Sequence, residues 1–271
     1  MGDPISRGRP ATSAPGPAEI APLSARGVVR RLGALPVLDG IDLDVAPHEV
    51  VALVGPSGCG KSTLLELVCG LQQPDAGTLR VHPAALMPQR DLLLPWLSSR
   101  DNVALPLRLA GASRRAARAA AEELLERVEL GRFARSRPDQ LSGGMRQRVS
   151  FLRALATERD LLCLDEPFGA LDAITREELR HWLVDRLRER PRSVLLVTHD
   201  VEEAALLGDR VVVLGPRPAR VVAEVPVTAG RADGRHREAT DAPVVDARRR
   251  IHAALHAAIA AGRAAGTEAT A

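Results

Sequence analysis

The sequence predicts an α/β fold, because short apolar strand segments alternate with helical ones along most of its 271 residues. Three segments carry that reading. Val50-Val51-Ala52-Leu53-Val54, Leu161 to Leu164 and Ser193 to Val197 are brief apolar runs, the pattern of strands buried on both faces. A second observation refines it: from about residue 98 to 158 the strand signals stop and only helical ones remain. That stretch reads as a helical subdomain inserted between two halves of one sheet.

In chain order, residues 1–22 are rich in Pro, Ala, Gly and Ser and read as a disordered extension. Val37 to Val45 alternates apolar with polar residues, as a half-buried strand does. Thr63 to Leu71 reads as a helix, punctuated by Gly70 and Pro74. Residues 112–130 place Leu124, Leu125 and Val128 on one helical face, and helical periodicity resumes over 174–190. Val211 to Leu214 and Val221 to Val225 look like a closing pair of strands. Past Thr228 a polar linker leads to an Ala-rich helix around 246–261. The expected division is therefore an extension (1–22), an α/β domain (23–228) and a linker with a terminal helix (229–271).

Composition removes several function classes. No apolar run approaches the ~18 residues of a membrane helix, and the N-terminus lacks the apolar stretch of a secretory signal. Cys59, Cys69 and Cys163 form no CxxC pair and read as small buried residues in a reducing compartment. The net charge is +3, the basic residues are dispersed, and three Phe, two Trp and no Tyr leave little to stack on bases, so no nucleic-acid partner is expected. One fact is sharper. Of the 37 basic residues only Lys61 is lysine. Under so strong a bias toward arginine, a retained lysine marks a position where a guanidinium will not serve.

Gly55-Pro56-Ser57-Gly58-Cys59-Gly60-Lys61-Ser62 matches the phosphate-binding loop pattern, with an apolar strand before it and a helix, starting near Thr63, after it. The glycines let successive backbone N–H groups converge on phosphate oxygens, and the helix N-terminus adds its positive end. Lys61 is compact enough to reach the β- and γ-phosphates, and the Ser62 hydroxyl suits Mg²⁺. Leu161 to Leu164 runs into Asp165 and Glu166; Asp165 is placed for the Mg²⁺ shell and Glu166 to polarise an attacking water.

Leu141-Ser142-Gly143-Gly144-Met145-Arg146-Gln147 resembles the signature sequence of ABC ATPases, with Met145 where glutamine is common. Further segments resemble that family in the same order. Gln89, in Met87-Pro88-Gln89, matches the glutamine that senses the γ-phosphate, completes the Mg²⁺ shell and meets the membrane subunit. Gly169-Ala170-Leu171-Asp172 matches the loop that crosses the dimer interface, and His199, in Thr198-His199-Asp200, matches the switch histidine. The resemblance spans roughly residues 23–225. It implies a phosphate-loop NTPase core, with a RecA-like sheet, flanking helices and an antiparallel edge. It also implies ATP and Mg²⁺ as cofactors and a head-to-tail dimer in which Ser142, Gly143, Gly144 and Asp172 complete the partner's site. A soluble ABC ATPase working on nucleic acid or the ribosome is expected to carry two ATPase domains or a long coiled-coil insert, and this sequence reads as having neither. An ordinary phosphate-loop kinase or GTPase leaves LSGGM and His199 unexplained.

Within the family, Leu92-Leu93-Leu94-Pro95-Trp96 and Phe168 to Arg176 resemble the nitrate, sulfonate and taurine importers, and MPQRDLLLPW resembles members assigned to pyrimidine precursors of thiamine. The resemblance implies a peripheral subunit on the cytoplasmic face of the membrane, bound to permease subunits and served indirectly by a solute-binding protein. Two positions depart from the family. Leu32 stands about where an aromatic usually meets adenine, so Leu32 or Val37 is expected to hold the base with weak selectivity. His48 occupies a turn where glycine is usual, a change expected to be harmless.

Overall fold

The computed structural model describes residues 21–228 and 235–268, with side chains through 262. The expected extension therefore lies outside the described residues apart from Ala21 and Pro22, and so does the start of the linker, 229–234. The strands are β1 (Leu23–Leu32), β2 (Leu35–Val45), β3 (Val50–Val54), β4 (Ala76–Val81), β5 (Ala84–Met87), β6 (Leu161–Asp165), β7 (Ser193–Val197), β8 (Arg210–Leu214) and β9 (Val221–Pro226). The helices are α1 (Lys61–Val68), α2 (Ser99–Leu109), α3 (Arg114–Arg127), α4 (Gly143–Leu155), α5 (Ala173–Glu189), α6 (Val201–Leu207) and α7 (Ala242–Glu268).

The larger sheet has the order β5-β6-β7-β3-β8-β9, parallel from β5 through β8 and closed by the antiparallel β9. Every residue of β3, β6 and β7 is buried, because both faces of the sheet are covered. Alternation sends successive residues to opposite cores. Val50, Ala52, Val54, Leu162, Leu164, Val194 and Leu196 pack with the helical segments, and Val51, Leu53, Leu161, Cys163, Leu195 and Val197 pack with β1, β2 and α1. The smaller sheet, β2-β1-β4, is antiparallel throughout.

Helices α2 to α4 lie between β5 and β6, two strands that pair directly in parallel, so the helical stretch is one long crossover. Three strands escape the sequence pattern. β1 contains Gly27 and several register shifts, which break its alternation; β4 is exposed or half-exposed along its whole length; β5 is only four residues long. The first helix starts at Lys61, two residues before the expected Thr63, so Lys61, Ser62 and Thr63 form its first turn. The terminal helix is longer than expected, from Ala242. His48 has φ +61, a conformation that glycine adopts without penalty. Its substitution therefore carries about 1 kcal/mol of backbone strain, beside a hydrogen bond from its N–H to Ser193 Oγ at 2.9 Å.

Candidate active site

Parallel pairing brings the carboxyl ends of β5, β6, β7 and β3 to one edge of the sheet, the edge where open α/β sheets bind ligands. Gln89 follows β5, Asp165 and Glu166 end β6, His199 follows β7, and the glycine-rich loop follows β3. A cavity of about 320 Å³ at this edge is lined by Ser57, Gly58, Gly60, Lys61, Ser62, Thr63, Gln89, Asp165 and Glu166, with Leu32, Val37 and Arg217 on its flank.

The loop depends on its glycines. Gly58 and Gly60 have φ +73 and +125, and a Cβ on Gly60 would sit 2.8 Å from Val37 Cγ1 and 2.9 Å from Leu38 Cδ2. A Cβ on Gly55 would sit 2.9 Å from the Leu214 carbonyl oxygen. Lys61 is 8% exposed, and its Nζ donates to the carbonyls of Gly55 at 2.8 Å and Pro56 at 3.1 Å. Cys59 lies buried beneath the loop, and burial pushes its thiol up. Burial likewise pushes the Asp165 carboxyl up, opposed by a hydrogen bond with Ser62. A hydroxyl, an amide oxygen and a carboxylate are the hard oxygen donors that Mg²⁺ takes, a few at a time, beside substrate phosphates. Ser62, Gln89 and Asp165 supply that set, and the loop and helix N-terminus supply the cradle for a triphosphate.

Glu166 is shared between two neighbours. Gln89 Nε2 donates to its Oε2 at 3.1 Å, and His199 Nδ1 lies 3.2 Å from its Oε1. Its backbone has φ +49, a left-handed conformation that costs a side-chain-bearing residue about 1–2 kcal/mol. Three backbone contacts hold it there. Glu166 N–H donates to the Val197 carbonyl at 2.8 Å, and its own carbonyl accepts from Gly169 N–H at 3.2 Å and from Gln147 Nε2 at 3.1 Å. Just beyond it, Phe168 is fully buried against Phe151 of α4, with ring centroids 5.5 Å apart.

Ser142, Gly143, Gly144 and Asp172 do not line this cavity. Ser142 caps α4 by accepting the Met145 N–H at 3.3 Å, leaving the helix N-terminus exposed, and Asp172 caps α5 by accepting from Thr175 at 3.0 Å. That backbone hydrogen bond, above all, holds the Asp172 carboxyl below its ordinary range. Gly144 packs near the Asp172 segment, where a Cβ would meet Leu171 Cδ2 at 3.3 Å. Gly143 is different: nothing lies within 4 Å of where its Cβ would be.

Residues 38–169 match the ABC transporter family. Over 202 residues the chain is 46% identical to the taurine import ATP-binding protein TauB of Burkholderia thailandensis, covering 71% of this chain and 78% of the relative. The chain belongs to the ABC transporter family, as one of its ATPases. It is also 47% identical over 222 residues to the aliphatic sulfonates import ATP-binding protein SsuB 2 of Xanthomonas axonopodis, covering 79% and 74% of the two chains. With the formylaminopyrimidine import ATP-binding protein ThiZ of Halalkalibacterium halodurans it shares 45% over 195 residues, 71% and 78% of the two. Among solved structures, the ATP-binding cassette MJ0796 in a post-hydrolysis dimer bound to ADP and Pi superposes with a TM-score of 0.71 at 29% identity, over 77% of this chain and all of that one.

Two residues of this ABC ATPase site were not singled out from sequence. Gln147 is 6% exposed and holds the Glu166 backbone from α4. Its signal was available: it lies four residues before Phe151, a polar side chain on the buried face of its helix. Arg217 offers no such signal, being one of 36 arginines. α4 also holds the segment after Gln89. Arg146 Nε reaches Asp91 Oδ2 at 3.0 Å, and Arg153 donates to the carbonyls of Asp91 and Leu92 at 2.9 and 2.8 Å. Among the described residues no helix is long and apolar enough to cross a membrane.

Proposed function

We propose that the chain is the energy-coupling subunit of an ABC importer, hydrolysing ATP as a head-to-tail dimer to drive uptake of a small solute. The observation that carries the reading is the Glu166 carboxylate, held between Gln89 and His199 at the same sheet edge as Lys61. Lys61 and the backbone N–H groups of residues 57–63 grip the β- and γ-phosphates. Ser62, Gln89 and Asp165 would hold Mg²⁺, which would supply positive charge against the phosphate oxygens. Glu166 orients the attacking water and takes up its proton, while His199 holds the carboxylate from the other side. Ser142 to Gly144 of a second copy complete the grip, with Asp172 at the boundary. Gly143 supports this part, because nothing within its own chain requires glycine there.

The names of the relatives support taurine, other sulfonates or a pyrimidine precursor of thiamine as the solute; nitrate rests on the sequence resemblance alone. In this reading the subunit sits peripherally on the cytoplasmic face of the membrane, where Gln89 and the segment after it pass motion to permease subunits. A separate solute-binding protein delivers the solute. Glu166→Gln is expected to trap an ATP-bound dimer, seen by light scattering with ATP and Mg²⁺. Full turnover by a strictly monomeric chain overturns the account. Thermal stabilisation of the cognate solute-binding protein by taurine, alkyl sulfonates, pyrimidines or nitrate assigns the solute.

A further inference from the structure

We propose that Arg217 forms a base-side wall of the nucleotide site, its planar guanidinium lying against the purine across from Leu32, the residue that stands where the family usually places an aromatic ring. The proposal rests on the reading of residues 55–63 as the ATP site. Its position is fixed by the tip of the β8–β9 hairpin, which is stitched to β2. Ala219 N–H donates to the Val37 carbonyl at 2.8 Å, Asp39 N–H donates to the Ala219 carbonyl at 2.9 Å, and Arg220 Nε reaches Asp39 Oδ2 at 3.0 Å. Two residues before that stitch, Arg217 donates from Nε (3.1 Å) and Nη2 to the carbonyl of Gly58. One side chain thus touches the phosphate loop and lines the same cavity as Leu32, Val37 and Lys61.

The other candidates for the base are poorly equipped. No Phe or Trp lines the cavity, and the chain has no Tyr. Val37 is only 3% exposed and is packed against Gly60, so it offers an edge at most. Leu32 is 45% exposed and presents a single branched aliphatic group. A guanidinium is flat, delocalised and weakly hydrated, and it stacks on aromatic faces with an attraction an aliphatic group lacks. Arg217 on one side and Leu32 on the other give a purine a cationic and an apolar wall. Stacking of this kind reads the area of the ring and not its edge. ATP and GTP should therefore bind alike, with CTP and UTP weaker.

Isothermal titration of the full chain with ATP, ADP, CTP and inorganic tripolyphosphate separates base contact from phosphate contact. Arg217→Ala is expected to weaken ATP and ADP about tenfold, to leave tripolyphosphate within about twofold, and to close the gap between ATP and CTP. Arg217→Lys keeps a cation beside Gly58 without the plane and should behave as Arg217→Ala does; it serves if the alanine variant misfolds. Equal losses for ATP and tripolyphosphate would make Arg217 a clamp on the phosphate loop and overturn the proposal, as would no loss at all. A wild-type chain that binds neither ATP nor tripolyphosphate overturns instead the nucleotide-site reading beneath it.

Discussion

Two helices begin at glycine-rich, phosphate-suited sequences, and they are finished in opposite ways. The N-terminus of α1 is packed against β2 on one side and opens on the cavity on the other: its N-cap is Gly60 with no side-chain cap, its first residue is the buried Lys61, and a Cβ on Gly60 would strike Val37 and Leu38. The N-terminus of α4 is exposed and capped by Ser142, and Gly143 next to it faces open space. α1 opens with its own cation, Lys61, whereas the first cation of α4, Arg146, is turned back to Asp91. The contrast teaches that glycine is retained for two reasons. At Gly60 the surrounding chain demands it, whereas at Gly143 nothing nearby does, and the proposed dimer partner supplies the demand.

The sharpest way to break this comparison is Lys61→Arg. The buried ammonium sits within 3.1 Å of two loop carbonyls, and a guanidinium there should lower the rate of phosphate release about 100-fold or more. Activity within tenfold of wild type would remove the special status of the one lysine.

A paired substitution tests the glycines directly. Gly60→Ala should destabilise the chain by about 2–4 kcal/mol in urea unfolding, from the clash and the positive φ together. Gly143→Ala should leave stability unchanged or raise it by up to about 1 kcal/mol, while lowering dimer ATPase activity about tenfold. Loss of stability at Gly143, or normal activity there, would erase the difference between the two termini.

Gln147 links α4 to the catalytic strand end. Gln147→Leu leaves the Glu166 carbonyl short of a buried partner, so kcat should fall about tenfold with KM for ATP little changed. A rise in KM alone would assign Gln147 to nucleotide binding.

A third helix N-terminus, that of α6, sharpens the comparison further, because the chain's own carboxylates occupy it. Asp200 caps it at 2.8 Å from the Glu202 N–H, and burial above all, with the Asp200 charge, pushes the Glu203 carboxyl up to about 7. The ordinary value is 4.5, so between the two the folded chain holds a proton that the unfolded chain has lost. Stability therefore falls as pH rises from about 4.5 to 7 and stays lower above that. Glu203→Gln should be about 1–3 kcal/mol more stable than wild type at pH 8, with the gap closing near pH 4.5, by urea unfolding at both pH values.

Much of this was legible in the sequence because it is written locally. A run such as Val50 to Val54 states its own burial, and Gly55 to Ser62 states its own backbone requirement. Strands β1, β4 and β5 were not legible, because a bulged strand, an exposed strand and a four-residue strand each lack the alternation that marks one. Leu32 and Val37 could be named from the sequence as candidates to meet the base, but not that Val37 would be buried against Gly60.

By itself, then, the sequence determined the α/β class, the phosphate loop with its one lysine, and the list of polar residues that end the strands. These depend on side-chain type and short spacing, which any stretch of chain carries with it. Only the tertiary structure decided which residues meet. The strand order β5-β6-β7-β3 sets Gln89, Glu166 and His199 side by side across 110 residues of chain, the tip of the β8–β9 hairpin delivers Arg217 to Gly58, and α4 reaches back to hold the strained Glu166. Sheet pairing and crossover packing are long-range choices made by burying two cores at once, and no local pattern encodes them.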